Sequence, residues 1–537
     1  MARIYIDKIL VITYEHEKLR EIYWQKLSSH IIQKHENSKF SKHEDVELIL
    51  FDCFNFLVNE FKEIINSETL LPFFLYIFYL HEESIKLFVK ISAGYSLNQI
   101  SESEFARYRR ILKLILEQGC DINLGWGKFP EGKEVFEMDE KLQKLLHIGT
   151  WIYEFADLIA YHKMINESRE INFDENNLLQ FSWQHHYGIA YKNLFPTLSE
   201  DYEKAVFDEN AIEELKQAIN QCFEIDYNIA GQIIFEIKKF HNATSPFQTI
   251  EPYVLPLNLK NHFPISDFLA ESFYNGLSIS RKNKMSLKDV VRKPYSTERY
   301  MYRPILIYNI EGVDRALVGR EKFVESIYVL ATNAINWNTI PNDWLRNKGM
   351  MKFISRKGNT HDKILEDKIE AILIQQNLLY SRNIKTFKQP NKINIRIDNE
   401  LAGEIDYIVV NINLKTIFVA DSKYNKARYE AVGYRSDYSN FFRTYEPQLE
   451  RKVKWIEENK IVLQEHLKIT NNLSTLEISD FDVVGVFFIN TPSFYMFNGN
   501  YKAITLNQIS NFVSGNYKLI ELNYNQKKFS HPYFRKP

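Results

Sequence analysis

The stretch Gly403–Tyr424 reads GEIDYIVVNINLKTIFVADSKY and decides the fold of the C-terminal part of the chain. Two apolar runs flank a short polar segment, which is the pattern of a β-hairpin. Asp406 falls on the first strand, and Asp421 and Lys423 fall on the second. Because side chains alternate across a strand, Asp421 and Lys423 are predicted to share one face and Ser422 to lie on the other.

Two carboxylates and one ammonium are therefore predicted at the end of an apolar hairpin. Carboxylates that share a site repel one another and raise one another's pKa. A divalent cation relieves this repulsion, so metal-assisted phosphodiester hydrolysis is the leading hypothesis. The alternative is a solvated hairpin on which Asp421 and Lys423 form a surface ion pair, worth about 0–1 kcal/mol.

Composition indicates a folded protein without a global nucleic-acid footprint. The chain has 537 residues, enough for about two to four domains, and its formal net charge is −2. A nucleic-acid surface would have to be local. Its three cysteines are far apart, so no CxxC metal or redox motif is present. The N-terminus lacks a signal-peptide pattern, and the most apolar run, Leu70–Leu80, contains Pro72 and is too short to cross a bilayer. We expect a cytoplasmic protein without membrane association.

Hydrophobic periodicity predicts a multidomain α + α/β protein with three parts. Residues 1–245 are predicted to form a large irregular all-α region for sensing or assembly. Residues 246–347 form a mixed α/β connector, in which the basic, tyrosine-containing segment Arg281–Arg303 is either a nucleic-acid surface or a solvated linker. A domain boundary is placed at the basic segment Gly349–Thr360, and residues 348–537 form the third part.

The third part has the predicted element order α-β-β-β-α-β. The first helix is followed by three strands, a second helix and a strand buried on both faces. Their predicted bounds are Asp362–Gln376, Leu379–Thr386, Glu404–Asn411, Thr416–Lys423, Phe442–Asn459 and Phe481–Ile489.

This order and these acids resemble the PD-(D/E)xK nuclease superfamily, which has a restriction-endonuclease-like core. The local sequences GEID at 403–406 and FVADSK at 418–423 are similar to the resolvase-like branch of that superfamily. The resemblance covers roughly residues 352–500, and residues 1–245 resemble no family that we can assign. The proline that often precedes the first acid is replaced by Ile405, and the acid of the (D/E)xK element is an aspartate.

The resemblance implies a role for each matching residue. Asp406, Asp421 and the backbone carbonyl of Ser422 would bind Mg²⁺, for which Mn²⁺ is expected to substitute. Lys423 would orient the nucleophile or stabilise transition-state charge, and Glu366 on the preceding helix would complete the metal site.

Three further residues extend this assignment. Glu404 competes with Asp406, and Glu370 competes with Glu366 one helical turn away. Gln448 lies early on the second helix, where some branches of the superfamily carry a glutamine. The number of metal ions is left open.

Basic residues beside the predicted site are candidates for contacting the nucleic-acid backbone. Lys352, Arg356 and Lys357 precede the first helix, and Lys426 and Arg428 follow the hairpin. Simple surface charge is the alternative for each of them.

The expected function is Mg²⁺-dependent endonucleolytic hydrolysis of DNA by a bacterial restriction or anti-phage defence effector. An RNase with the same site, and an inactive nucleic-acid-binding or assembly protein, are the alternatives. The helical region is expected to form a homo-oligomer or to bind a partner protein.

Overall fold

The computed structural model describes residues 3–13, 16–128, 130–164, 169–183, 209–242, 249–335, 339–391, 393–397, 403–426, 428, 430–518, 521–524 and 527–530. They form two compact units. The first unit comprises residues 1–159, 169–182 and 207–358, and the second comprises residues 160–168, 183–206 and 359–537. The protein is therefore a mixed α/β chain. Among the described residues, every helix is too short or too polar to cross a lipid bilayer.

The first unit is mainly helical. Its helices are His16–Lys34, His43–Asn66, Leu71–Ser92, Glu102–Gly119, Lys133–Met164 (whose last turns belong to the second unit), Glu209–Phe223, Tyr227–Asn242, Val254–His262, Asp267–Leu277, Leu287–Arg292, Arg320–Asn333 and Asn342–Leu345. Its strands are Arg3–Ile6, Ile9–Ile12, Lys39–Phe40, Asn123–Leu124, Arg169–Phe173, Leu179–Trp183, Ser278–Ile279, Ile305–Ile310 and Val313–Val318.

The prediction that residues 1–245 are all-α is wrong in detail. The chain opens with an antiparallel hairpin, Arg3–Ile6 paired with Ile9–Ile12. Its two turn residues, Asp7 and Lys8, both have positive φ, at 48° and 66°. Such turns match the twist of the strands, and they usually contain glycine or asparagine. The Asp-Lys pair lacks that signal, so the sequence pattern did not reveal the turn.

Residues 246–347 do not form a separate connector, because they are built into the first unit. Strand Ile305–Ile310 pairs in parallel with Asn123–Leu124. Nε of Arg299 donates to Oε1 of Glu117 over 3.3 Å, and both side chains are 3% exposed. Since a buried charge requires a partner, this pair ties the two sequence regions into one core.

The basic segment Arg281–Arg303 is largely structural. Tyr300 and Tyr302, which would be stacking residues in the functional interpretation, are both 0% exposed. The guanidinium of Arg303 is also fully buried. These rings and this charge are therefore unavailable for binding nucleic acid.

The domain boundary predicted at Gly349–Thr360 contains the point at which the two compact units divide, and this point lies inside the helix Lys348–Gln375. We call this helix the Glu366 helix. Gly349 serves packing there, since a Cβ atom at this position would lie 2.7 Å from Sγ of Cys222. The two compact units meet in sequence between Gly358 and Asn359, inside the helix.

The second unit is built on a five-stranded mixed sheet. In spatial order its strands are Leu379–Ile384, Ile405–Asn411, Thr416–Lys423, Asp482–Ile489 and Lys502–Thr505. The first three strands pair antiparallel and the last three pair parallel. We call Ile405–Asn411 the Asp406 strand and Thr416–Lys423 the Asp421 strand.

The remaining elements of this unit are helices and short strands. The predicted second helix, Phe442–Asn459, corresponds to a π-helical turn Phe441–Tyr445 followed by the helix Glu446–Glu458, which we call the Lys452 helix. The helix Ala431–Asn440 precedes this turn directly. The other helices are Lys460–Thr470, Tyr495–Asn498 and Leu506–Val513, and the other strands are Thr386–Phe387, Ile395–Arg396, Glu521–Tyr524 and Lys527–Ser530. Between the Glu366 helix and the helix Ala431–Asn440 lie the three antiparallel sheet strands and the short strands Thr386–Phe387 and Ile395–Arg396, and the strand Asp482–Ile489 follows the helix Lys460–Thr470.

Two apolar cores cover the two faces of the sheet. The core on the first face contains Ile408, Val410, Ile417 and Val419 of the hairpin with Leu449 and Ile456 of the Lys452 helix. The core on the second face contains Tyr407, Val409, Phe418 and Ala420 with Leu365, Ile369 and Leu373 of the Glu366 helix. From Tyr407 to Val410 and from Ile417 to Ala420 the hairpin residues alternate between the cores, as the two-residue period of a strand requires.

Candidate active site

The hairpin register places the two predicted aspartates opposite each other. Tyr407 pairs with Ala420 across the antiparallel strands, so the next pair in this register is Asp406 with Asp421. Residues directly opposite each other in an antiparallel pair point to the same face, with Cβ atoms about 4.5–5.5 Å apart. Asp421 and Lys423 continue the alternation of Ile417 and Val419. All three predicted side chains therefore lie on the face covered by the Lys452 helix.

Asp421 is the centre of this site and is completely buried, with 0% exposure. Its Oδ2 lies 3.3 Å from Nζ of Lys423. Its Oδ1 accepts a hydrogen bond from Nζ of Lys452 over 2.5 Å. Each carboxylate oxygen thus faces one ammonium group. Because a buried carboxylate without a partner is very costly, these two contacts stabilise Asp421 inside the fold. The surface ion pair considered from the sequence is excluded.

Asp406 is held by the residue that follows Asp421. The backbone N–H of Ser422 donates to Oδ2 of Asp406 over 2.8 Å, and the Ser422 hydroxyl donates to the same oxygen over 3.0 Å. Burial and the neighbouring charge of Asp421 raise the pKa of Asp406 to about 6, although Lys423 and Lys452 act in the opposite direction. The repulsion predicted between the two carboxylates is therefore present.

The side chain of Lys423 is 19% exposed, whereas that of Asp421 is completely buried. Burial by itself lowers the pKa of Lys423, but the charges of Asp421 and Asp406 raise it overall. Its Nζ lies 5.0 Å from the centre of the Tyr445 ring. A cation near an aromatic face is attracted by the ring quadrupole, so Tyr445 helps to position the ammonium group.

Tyr445 belongs to the π-helical turn Phe441–Tyr445. Such turns insert an extra residue into a helix and occur often at functional sites. The next residue, Glu446, is buried and accepts a hydrogen bond from the Tyr495 hydroxyl over 2.5 Å. This contact joins the start of the Lys452 helix to the short helix Tyr495–Asn498.

The sequence prediction missed Lys452, although a signal was available. Leu449, Lys452 and Ile456 follow one another at spacings of three and four residues, which define one face of a helix. Leu449 and Ile456 are both fully buried, and Lys452 is 6% exposed. A lysine at an apolar position of a helix predicts a buried charge with an anionic partner. Gln448 lies one turn before Lys452 and is half-buried.

Glu404, the competitor of Asp406, is directed elsewhere. It precedes the Asp406 strand, and its Oε2 forms an ion pair with Nζ of Lys385 over 3.1 Å. The two side chains are 36% and 66% exposed. Asp406 is therefore the acid that lies beside Asp421.

Glu366 and Glu370 are not brought together with the two aspartates. Oε2 of Glu366 accepts from Nδ2 of Asn383 over 3.3 Å and lies 3.6 Å from Nη2 of Arg382. Glu370 also pairs with Arg382 and accepts from the Tyr380 hydroxyl over 2.9 Å.

The physical reason is that the Glu366 helix covers the opposite face of the sheet from Asp421. Across the described ranges, no group of three or more His, Cys, Asp or Glu side chains is arranged to hold a metal ion. The predicted set of Asp406, Asp421 and Glu366 is therefore not assembled.

Ser422 makes contacts that the sequence did not predict. Its backbone N–H and its hydroxyl act as donors to Asp406, and the role of its carbonyl oxygen as a metal ligand stays a prediction. These two donors hold one carboxylate oxygen of Asp406 in place. Ser422 is therefore a positioning residue for Asp406 in this structure.

Two of the predicted phosphate-binding cations have structural partners. Nε and Nη2 of Arg428 donate to the carboxylate of Asp437 over 2.8 and 2.7 Å. Burial and the charge of Arg428 lower the pKa of Lys426 to about 7. Arg428 and Lys426 are thus poorly suited to attract phosphate. The charge of Arg428 is neutralised by Asp437, and Lys426 loses its charge near neutral pH.

The other three predicted cations lie in the first unit. Lys357 forms an ion pair with Glu214. Lys352 and Arg356 are exposed, and Arg356 lies 5.9 Å from the centre of the Phe353 ring. Only Lys352 and Arg356 therefore keep the exposure that backbone contact requires, and their role in binding stays a prediction.

In comparisons with protein-family models, curated proteins and solved structures, no match to this chain was found. Evidence on function therefore comes from the geometry of Asp406, Asp421, Lys423 and Lys452.

Proposed function

We propose that the protein is a metal-dependent nuclease that hydrolyses DNA phosphodiester bonds, with its active site in the second unit. The observation that carries the proposal is the pairing of Asp406 with Asp421 beside Lys423 on one buried face. Two acids and a lysine on adjacent strands are the residue types that phosphodiester hydrolysis uses. The α-β-β-β-α-β order of the surrounding elements also supports the resemblance to PD-(D/E)xK nucleases.

The donor set fits a hard divalent cation. Both groups are carboxylates, and the pKa of Asp406 is raised first by burial and second by repulsion from Asp421, which a cation would relieve. Mg²⁺ commonly binds through one or two carboxylates with water and substrate phosphate, so a third acidic side chain is not required. Asp406 and Asp421 would hold the ion, and a bound ion would supply Lewis-acid activation of the phosphate and of water.

The protein's own groups have defined tasks in this proposal. Lys423, held between Asp421 and the Tyr445 ring, donates to the phosphate oxygens as negative charge develops on them. Ser422 fixes the orientation of Asp406 through two hydrogen bonds. Lys452 compensates the buried charge of Asp421. The first unit, by analogy with restriction and anti-phage effectors, would sense a trigger or form the oligomer.

A nuclease digest tests the proposal directly. The purified chain is incubated with plasmid, linear duplex, single-stranded DNA and RNA, with and without Mg²⁺. We expect DNA cleavage that EDTA abolishes and Mn²⁺ restores. Cleavage of RNA alone would favour the RNase alternative. Failure to cleave all four substrates with either metal would favour the inactive nucleic-acid-binding or assembly protein.

The affinity of the site for Mn²⁺ is expected to depend on pH. The proton and the cation compete for Asp406, whose pKa is about 6. Apparent affinity should therefore be nearly constant above pH 7 and should fall by up to about tenfold per pH unit below pH 6. Calorimetric titration with Mn²⁺ between pH 5 and pH 7.5 measures this. An affinity that stays flat down to pH 5 would contradict Asp406 as a ligand.

A further inference from the structure

Lys452 is a buried lysine that contacts Asp421, and the resemblance to PD-(D/E)xK nucleases assigns it no role. Lys452 donates to Oδ1 of Asp421 over 2.5 Å, while the Lys423 contact with Oδ2 is longer, at 3.3 Å. Lys423 is also attracted by the Tyr445 ring. Lys452 therefore makes the closer contact with Asp421, and it does so from a different element.

The charges of the four groups balance without a metal ion. Asp406 and Asp421 contribute −2 when ionised, and Lys423 and Lys452 contribute +2. A divalent cation added to this set would leave an uncompensated charge of +2 in a buried site. A cation at Asp421 would also repel the ammonium groups strongly, because the effective dielectric constant is low there.

We propose that Lys452 is a resident counter-ion of Asp421, which a divalent cation must displace from Oδ1 in order to bind. This inference rests on the proposed metal-dependent function and adds a positioning role for Lys452 to it. Lys452 holds the Asp421 carboxylate in place through this contact. Because coupling between two ligands of one site is reciprocal, Lys452 weakens cation binding as much as the cation weakens the Lys452 contact.

Mn²⁺ binding to the purified full chain tests this role without using activity. We compare the wild type with Lys452→Met, which removes the charge and keeps most of the side-chain volume. We expect the affinity of Lys452→Met for Mn²⁺ to rise about tenfold. In EDTA its Tm should be lower than that of the wild type, because Asp421 loses its nearest partner, and Mn²⁺ should raise this Tm by more than it raises that of the wild type.

Two further variants serve as a control for the loss of any lysine on this helix and as a second test of the Lys452 charge. Lys454→Met changes a lysine on the same helix that is 75% exposed, and it should leave Mn²⁺ affinity and Tm unchanged. Lys452→Gln keeps a donor for Oδ1 without the positive charge and should also bind Mn²⁺ more tightly. It provides the same measurement if Lys452→Met does not fold.

The outcomes separate this inference from the proposed function. An unchanged or weaker Mn²⁺ affinity in the charge-removing variants, with a wild type that binds Mn²⁺ and cuts DNA, overturns the counter-ion role alone. A wild type that binds no Mn²⁺ at millimolar concentration overturns both the counter-ion role and the metal-dependent function. A tenfold gain in Mn²⁺ affinity that only the Lys452 variants show supports the proposal that a cation displaces Lys452 from Oδ1 of Asp421.

Discussion

Replacement of Lys423 with alanine is expected to lower the rate of DNA cleavage by about 10²–10³-fold, the cost typical of losing one preorganised donor to a transition state. Lys423 Nζ is placed by Oδ2 of Asp421 at 3.3 Å and by the Tyr445 ring at 5.0 Å. Alanine removes the ammonium group and leaves both neighbours in place. Single-turnover cleavage with Mg²⁺ measures the loss in the chemical step.

A matched control lies at the other end of the same strand. Lys415 is 66% exposed and pairs with Asp480, so Lys415→Ala should cut at the wild-type rate. Lys423→Ala should bind the DNA substrate with nearly unchanged affinity. If Lys423→Ala cuts as fast as Lys415→Ala, Lys423 has no part in the reaction.

Asp421→Asn should also abolish cleavage, but the structure changes what else is expected of it. Asp421 is completely buried between two lysines. Removal of one partner from a buried ion pair costs about 3–5 kcal/mol, since a charge is left unpaired. Asp421→Asn removes the partner of two lysines and therefore tests chemistry and folding together. Lys423→Ala disturbs the fold less, because Asp421 keeps its contact with Lys452.

Arg303→Met is expected to lower the free energy of unfolding of the first unit by about 3–5 kcal/mol. The guanidinium is fully buried and donates to the carbonyl oxygens of Asn275 and Ser278 over 2.8 and 3.1 Å. It also pairs with Asp343 over 2.9 Å and with Glu298. Methionine fills similar space but leaves the carboxylates of Asp343 and Glu298 without this cation.

Denaturant unfolding measures this effect, and Lys293 supplies the comparison within the same segment. Lys293 is 67% exposed and lies 3.9 Å from Asp289, so Lys293→Met should change stability by about 0.5 kcal/mol or less. Equal stability of the two variants would contradict the structural role of the segment. It would also restore the possibility that the segment contacts nucleic acid.

Local patterns predicted the hairpin well. The strand Thr416–Lys423 begins and ends at the predicted residues, and the Asp406 strand begins one residue later than predicted. Alternation of apolar residues is a local property with a period of two. It therefore predicted that Asp421 and Lys423 share a face, and the 3.3 Å contact between them confirms this.

Local patterns failed where distant elements meet. Arg428 and Lys426 are predicted from the sequence to contact the nucleic-acid backbone, with surface charge as the alternative. In the structure Asp437 pairs with Arg428, and burial lowers the pKa of Lys426. Glu366 had a suitable position on its helix, but that helix covers the opposite face of the sheet. Helix periodicity states which residues share a helix face and not which sheet face the helix will cover.

The sequence by itself determined the central hairpin, its two opposed acids and the lysine beside them, because strand alternation depends only on neighbouring residues. The tertiary structure alone decided that Lys452 reaches Asp421 from 31 positions away and that Glu366 does not come near it. The burial of Asp421 explains its contact with Lys452, because a carboxylate removed from water requires a positive partner, and tertiary packing determines which residue supplies it.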